Sequence, residues 1–235
     1  VSSADVERRR NGLAVIMAVE GSVPFAALQP LASDPDPATS AKAQWLIVVH
    51  ARSYVDQVMG APGGPATEDL RTLLRAITCG NYGINVHWPG LQGLRAHSDG
   101  EVAARATLLS FVFSAYAGRY DRELARDALR AAAVIETLTP GKRSMWMDPA
   151  SFWQHPEVAD AIHEVLRDGE PSVRLAVVKQ LSVVQTRVAA APPLPKEPFW
   201  EQLRVRLKES LPGEPEGALK KEMTALLNEL ERSSK

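Results

Sequence analysis

Apolar residues recur along most of this chain at intervals of three and four, the period of an amphipathic helix, and rarely in strict alternation. In "LRDGEPSVRLAVVKQLSVV", Leu166 ends one helical pattern, Asp168-Gly169 makes a turn, and Pro171 or Ser172 opens the next helix. Val173, Ala176, Val177, Leu181 and Val184 then mark an apolar face. The same grammar runs through "LQPLASDPDPATSAKAQWLIVV", with a turn at Asp34-Pro35-Asp36-Pro37 and then Ala41, Trp45, Leu46 and Val49. It returns in "LQGLRAHSDGEVAARATLLSFV", where Ser98-Asp99-Gly100 precedes Val102, Ala103, Ala106 and Leu109. An Asp or Ser at such a turn accepts hydrogen bonds from the first free helix N–H groups, and Pro fits the first turn.

These patterns predict helices near 3–20, 23–32, 38–59, 67–78, 101–117, 121–138, 149–154, 157–167, 172–188, 198–210 and 216–232. Dense Gly and Pro mark a loop at 60–67, and longer irregular segments span 79–90 and 139–153. "AAAPPLPKEP", at 189–198, reads as a polyproline-type linker. The chain therefore divides into a helical domain at 1–188, the linker at 189–198, and a C-terminal helical segment at 199–235. In that last segment Leu219, Met223, Leu226 and Leu230 form a narrow apolar stripe. The stripe suits either a cap docked on the preceding helices or a contact with another chain.

Asp34, Asp99 and Asp168 lie 65 and 69 residues apart, so each interval holds two units of about 33 to 35 residues. Helix pairs of this kind bury their apolar stripes by stacking on their neighbours. The pattern resembles HEAT and armadillo-type repeats over roughly residues 1–188, with Asp168, Val173 and Arg174 of "DGEPSVRLAVVKQL" in register. The Val-Arg pair is confined to this third turn; the other two read Ala38-Thr39 and Val102-Ala103. The resemblance implies an all-α, HEAT-like right-handed α-solenoid of antiparallel helix pairs with C-terminal capping helices. It also implies a binding surface on the second helices of the pairs, at 38–50, 101–116 and 172–188, with Lys42, Arg105, Arg174 and Lys179 as its exposed candidates. An irregular helical bundle is the competing architecture. The start inside a repeat-like helix, "ADVERRRNGLAVIMAV", carries the expectation of a half-unit ahead of it.

With a net charge of -1, the chain has no global basic field to recruit nucleic acid or anionic membrane. The longest apolar runs, such as "WLIVVHA", are too short to cross a bilayer, and the N-terminus does not read as a signal peptide. The single cysteine, Cys79, excludes an internal disulfide or a cysteine-based zinc site and fits a cytoplasmic protein.

Candidate chemistry is sparse. The segment "TCGNYGINVHWPG" gathers Cys79, Tyr82, His87 and Trp88, a candidate ligand loop whose Cys–His pair also suits nucleophilic chemistry; the alternative is a packed plug between helices. "HPEVADAIHE" gathers His155, Glu157, Asp160, His163 and Glu164, read first as a solvated helix start and second as a metal site. Arg119, Arg122, Arg126 and Arg130 follow spacings that put four guanidinium groups along one helical face. The stripe suits an acidic partner or phosphates, although Asp121, Glu123 and Asp127 interleave with it. Trp146 and Trp153, in "MWMDPASFW", suit either an interface or a core.

No P-loop, dinucleotide fingerprint, kinase set or G-x-S-x-G elbow occurs in the sequence. No catalytic residue, metal or cofactor is assigned, and the enzyme question stays open with the balance toward none. The expected function is a protein–protein interaction scaffold, with Arg119, Arg122, Arg126, Arg130, Trp146, Trp153, Arg174 and Lys179 as partner-binding candidates. Nucleic-acid binding through the arginine stripe, as in HEAT-like DNA glycosylases, and a small-ligand or enzyme site at the Cys79–Gly90 loop are the alternatives.

Overall fold

The computed structural model describes residues 5–18, 23–79, 88, 90–138, 155–189 and 198–233. Among the described residues the regular structure is helical and there is no strand, so the all-α class stands. The predicted segment 149–154 lies outside them. The chain forms two compact units, 1–106 and 107–235, and the division falls within a helix.

Unit 1 contains α1 (Val6–Ala18), α2 (Phe25–Ala32), α3 (Pro37–Val49), α4 (Ala51–Met59), α5 (Thr67–Cys79), the short α6 (Leu91–Leu94) and the start of α7 (Gly100–Tyr116). Helix α3 packs on α1, α2 and α5. Leu28, Ile47, Leu70, Leu73, Leu74 and Ile77 are all sealed from solvent in this core. Each such side chain contributes about 1.5–3 kcal/mol through its removal from water.

The single helix predicted over 38–59 is two, broken at His50, where φ is -104° and ψ is 20°. The break turns the chain so that α4 buries a face of its own, Ala51, Tyr54, Val55 and Val58. Tyr54 meets Phe25 of α2 at a centroid distance of 5.6 Å. Helix α6 was not predicted; it starts after Gly90, whose φ of 83° only glycine adopts without strain.

Two acidic turns of unit 1 are held by the same device. Asp36 caps α3, accepting the Thr39 N–H at 2.9 Å, and Asp99 caps α7, accepting the Val102 N–H at 3.0 Å. Arginines from the helix upstream grip each turn. Arg9 pairs with Asp34 at 2.7 Å and Arg10 with Asp36 at 2.5 Å. In the second turn Arg71 pairs with Asp99, and Arg75 holds Glu101 through two bonds of 2.6 and 2.5 Å. The members Asp34, Asp36 and Arg10 recur after 65 residues as Asp99, Glu101 and Arg75.

Unit 2 continues α7 and contains α8 (Arg122–Leu138), α9 (Pro156–Asp168), α10 (Pro171–Ala189), α11 (Pro198–Ser210), a 3-10 turn (Leu211–Gly213) and α12 (Ala218–Ser233). Helix α10 packs on α8, α9 and α12, and α11 packs on α9 and α12. The stripe Leu219, Met223, Leu226 and Leu230 is buried within this unit. The third acidic turn departs from the other two. Asp168 pairs with its neighbour Arg167 at 2.6 Å, both side chains more than 60% exposed. Its tightness comes instead from Gly169, where a Cβ would stand 2.4 Å from the Val165 carbonyl oxygen.

Candidate functional site

The turn without the long-range arginine grip borders a groove of about 830 Å³ in unit 2. One bank is the face of α8 that carries Arg126, Arg130, Ala133, Val134 and Thr137. The other is the end of α9, the turn at Gly169, and the first residues of α10, Ser172 and Val173. Ala133, a buried small residue of α8, lines this bank. Val134 stays 43% exposed beside it, so the floor is apolar and open.

Two members of the arginine stripe, Arg126 and Arg130, line this groove. Three of the stripe's members lie on α8; Arg119 lies ahead of the helix, in a turn where its N–H donates to Ser114 O at 2.9 Å. Arg122 pairs with Glu164 and lies 3.9 Å from Asp160. Arg126 lies 3.3 Å from Glu123 and 3.7 Å from Glu164, and Arg130 lies 3.4 Å from Asp127. The Arg122 hydrogen bond holds the Glu164 carboxyl below its ordinary range, against the opposing effect of burial. Each of the three cations on α8 thus has a carboxylate within reach, which leaves little of the field a phosphate backbone would need.

Of the acidic residues of α9 expected to face water, Glu164 turns to Arg122 and Arg126, whereas Asp160 stays exposed at the edge of the pair. His163, from the same helix, is buried and stacks on Phe199 of α11 at 5.8 Å and 11°. His155 stacks on Tyr120 at 3.7 Å. The residues proposed as metal ligands are therefore spread over different environments, and no metal-competent group occurs among the described residues.

Two of the cations expected to be exposed on second helices are not. Arg105 is fully buried in unit 1, donating to Glu101 at 2.8 Å and to the Thr78 hydroxyl at 2.5 Å. Arg174 is largely covered and donates to Glu214 at 2.5 Å. Both are taken up by acids or hydroxyls that the linear pattern does not bring near. Lys42 and Lys179 are exposed.

In the candidate loop, Cys79 is the last residue of α5 and Trp88 is buried, while Tyr82 and His87 lie outside the described residues. Trp146 and Trp153 also lie outside them.

A second exposed feature had only part of its signal read from the sequence. On α3, Ala38, Ala41, Lys42, Trp45 and Val49 share one exposed face. Trp45 is 39% and Val49 52% exposed. The apolar spacing of Trp45 and Val49 had pointed inward, because period alone does not say which of two apolar stripes on a helix is covered.

Comparison of the chain with protein families, with curated proteins and with solved structures gives no match.

Proposed function

We propose that this chain is a non-catalytic protein–protein interaction module, an α-solenoid of HEAT-like units whose unit 2 receives a protein or peptide partner in the groove between α8 and the α9–α10 turn. The observation that carries the reading is the groove itself: an open apolar floor at Val134, Val165 and Val173 with charged banks. Apolar centres ringed by polar groups are the anatomy of a protein interface. The recurrence after 65 residues of one ion pair, Arg10–Asp36 and then Arg75–Glu101, supports the repeat architecture. The carboxylates beside Arg122, Arg126 and Arg130 favour a protein partner over nucleic acid.

The test is affinity capture from lysate of the source cells, with and without nuclease, comparing the native chain with Val134→Asp. A partner that resists nuclease and falls about tenfold or more with Val134→Asp supports the module and its groove. Recovery that collapses on nuclease treatment assigns the arginine face to nucleic acid. Recovery unchanged by Val134→Asp removes the groove from the reading.

A further inference from the structure

We propose that the exposed face of α3 in unit 1 is a docking site for an acidic amphipathic helix of a partner protein. The inference rests on reading the chain as an interaction module, but it concerns a different surface from the unit 2 groove and a partner of stated chemistry.

The first observation is the composition of the face. Ala38, Ala41, Lys42, Trp45 and Val49 run along about 16 Å of helix, some three turns. Small residues occupy its first half and a half-exposed Trp and Val its second. Water-exposed Trp is costly to leave uncovered and is the residue most enriched among interface anchors. The two alanines let a partner backbone come close, so that a bulky side chain of the partner fits beside Trp45.

The second observation is charge. From Pro37 to Val55 the chain carries no acidic residue, but it does carry Lys42 and Arg52. Neither has an acidic partner among the described residues. Elsewhere in the same unit Arg9, Arg10, Arg71, Arg75 and Arg105 are all engaged by carboxylates. Unit 1 therefore uses these arginines to hold its turns and leaves one cation, Lys42, on the exposed face of α3, while Arg52 is exposed on the next helix, α4. The complement is a surface with apolar side chains flanked by Asp or Glu.

The partner's backbone is constrained as well. The described residues include no strand, so α3 offers no edge to which an extended peptide could add its hydrogen bonds. A segment laid on this face must satisfy its own N–H and C=O groups, and a helix does so. Apolar positions at i, i+3, i+4 and i+7 on that helix would match the spacing of Ala38, Ala41, Trp45 and Val49.

The test is a displayed library of 16-residue peptides, randomised in charge and in apolar periodicity, selected on the full chain. Enriched peptides are then synthesised and titrated by fluorescence anisotropy. The expected winners are helical, apolar at i, i+3, i+4 and i+7, and acidic on the flanks. Their affinity should fall about tenfold or more with Trp45→Ala, and Lys42→Glu should shift preference to twins carrying Lys in place of Glu. Val49→Asp serves as the second variant, and an unchanged thermal melt of each shows that the fold is intact. Basic or extended winners, no enrichment, or affinity indifferent to both Trp45→Ala and Val49→Asp overturns the proposal. So does self-association of the chain that Trp45→Ala abolishes, which would make the occupant a second copy. A lysate partner that depends on Val134 while no acidic helix binds α3 removes this site and leaves the module reading standing.

Discussion

Arg105 donates its Nε–H to Glu101 one helical turn earlier, at 2.8 Å, and the two side chains are 0% and 8% exposed. Arg75 closes the other side of the carboxylate, and the Thr78 hydroxyl accepts from Arg105. Burial works to raise the Glu101 pKa, but the hydrogen bonds from Arg75 and then Arg105 outweigh it and hold the group ionised. A charge so enclosed is stable only while its partners remain, because removing one leaves the other desolvated and unpaired. Glu101→Ala should therefore cost about 3–5 kcal/mol of unfolding free energy, read as a lower urea midpoint. Replacing both Arg105 and Glu101 with apolar residues should cost less than the sum of the single changes, because the double variant leaves less charge stranded.

The gripped turns set an acid limit on stability. Asp99 is held down to about 2, first by the Arg71 hydrogen bond and then by the Val102 N–H. Asp34 and Asp36 are lowered by Arg9 and Arg10 in the same way. A carboxyl whose folded pKa lies below its unfolded value, near 3.9, binds more protons when unfolded. Its contribution is complete above about pH 4 and is lost as pH falls toward about 2. Arg71→Gln should lower stability at pH 7 and flatten its decline between about pH 4 and 2, measured by urea unfolding at each pH.

His163 acts in a milder range. Burial lowers its pKa, the Arg206 cation pushes the same way, and Asp160 opposes them. The unfolded chain takes up this proton near pH 6.5 and the folded one only below it, so stability declines as pH falls from about 6.5. His163→Phe, which keeps an aromatic ring against Phe199, should remove that part of the loss between pH 7 and pH 5. Thermal melts at the two pH values check this.

Glycine matters at one turn and not at another. A Cβ on Gly169 meets the Val165 carbonyl oxygen at 2.4 Å, whereas one on Gly213 meets nothing within 4 Å. Gly169→Ala should cost about 1–3 kcal/mol through the forced backbone shift, and Gly213→Ala should be near neutral. Chemical denaturation of the pair separates close approach from mere turn location.

The helices were legible in the sequence because the information for them is local. The three-and-four spacing of Val173, Val177, Leu181 and Val184, and the aspartates ahead of α3 and α7, act within a few residues of themselves. The stripe of Leu219, Met223, Leu226 and Leu230 could be read as apolar, but not assigned to its own chain. The break at His50 was hidden because no Gly or Pro marks it; it is set by where α4 can bury Tyr54. The fates of the arginines were hidden for the same reason. Arg105 and Arg174 read as surface cations until Thr78 and Glu214, 27 and 40 residues away, came beside them. The sequence alone determined the all-helical class, most of the helical segments and where two of their acidic turns recur. Only the tertiary structure decided which charges are spent inside the fold and which, such as Lys42 and Arg52, stay exposed, because ion pairing depends on distance in space and is nearly blind to distance along the chain.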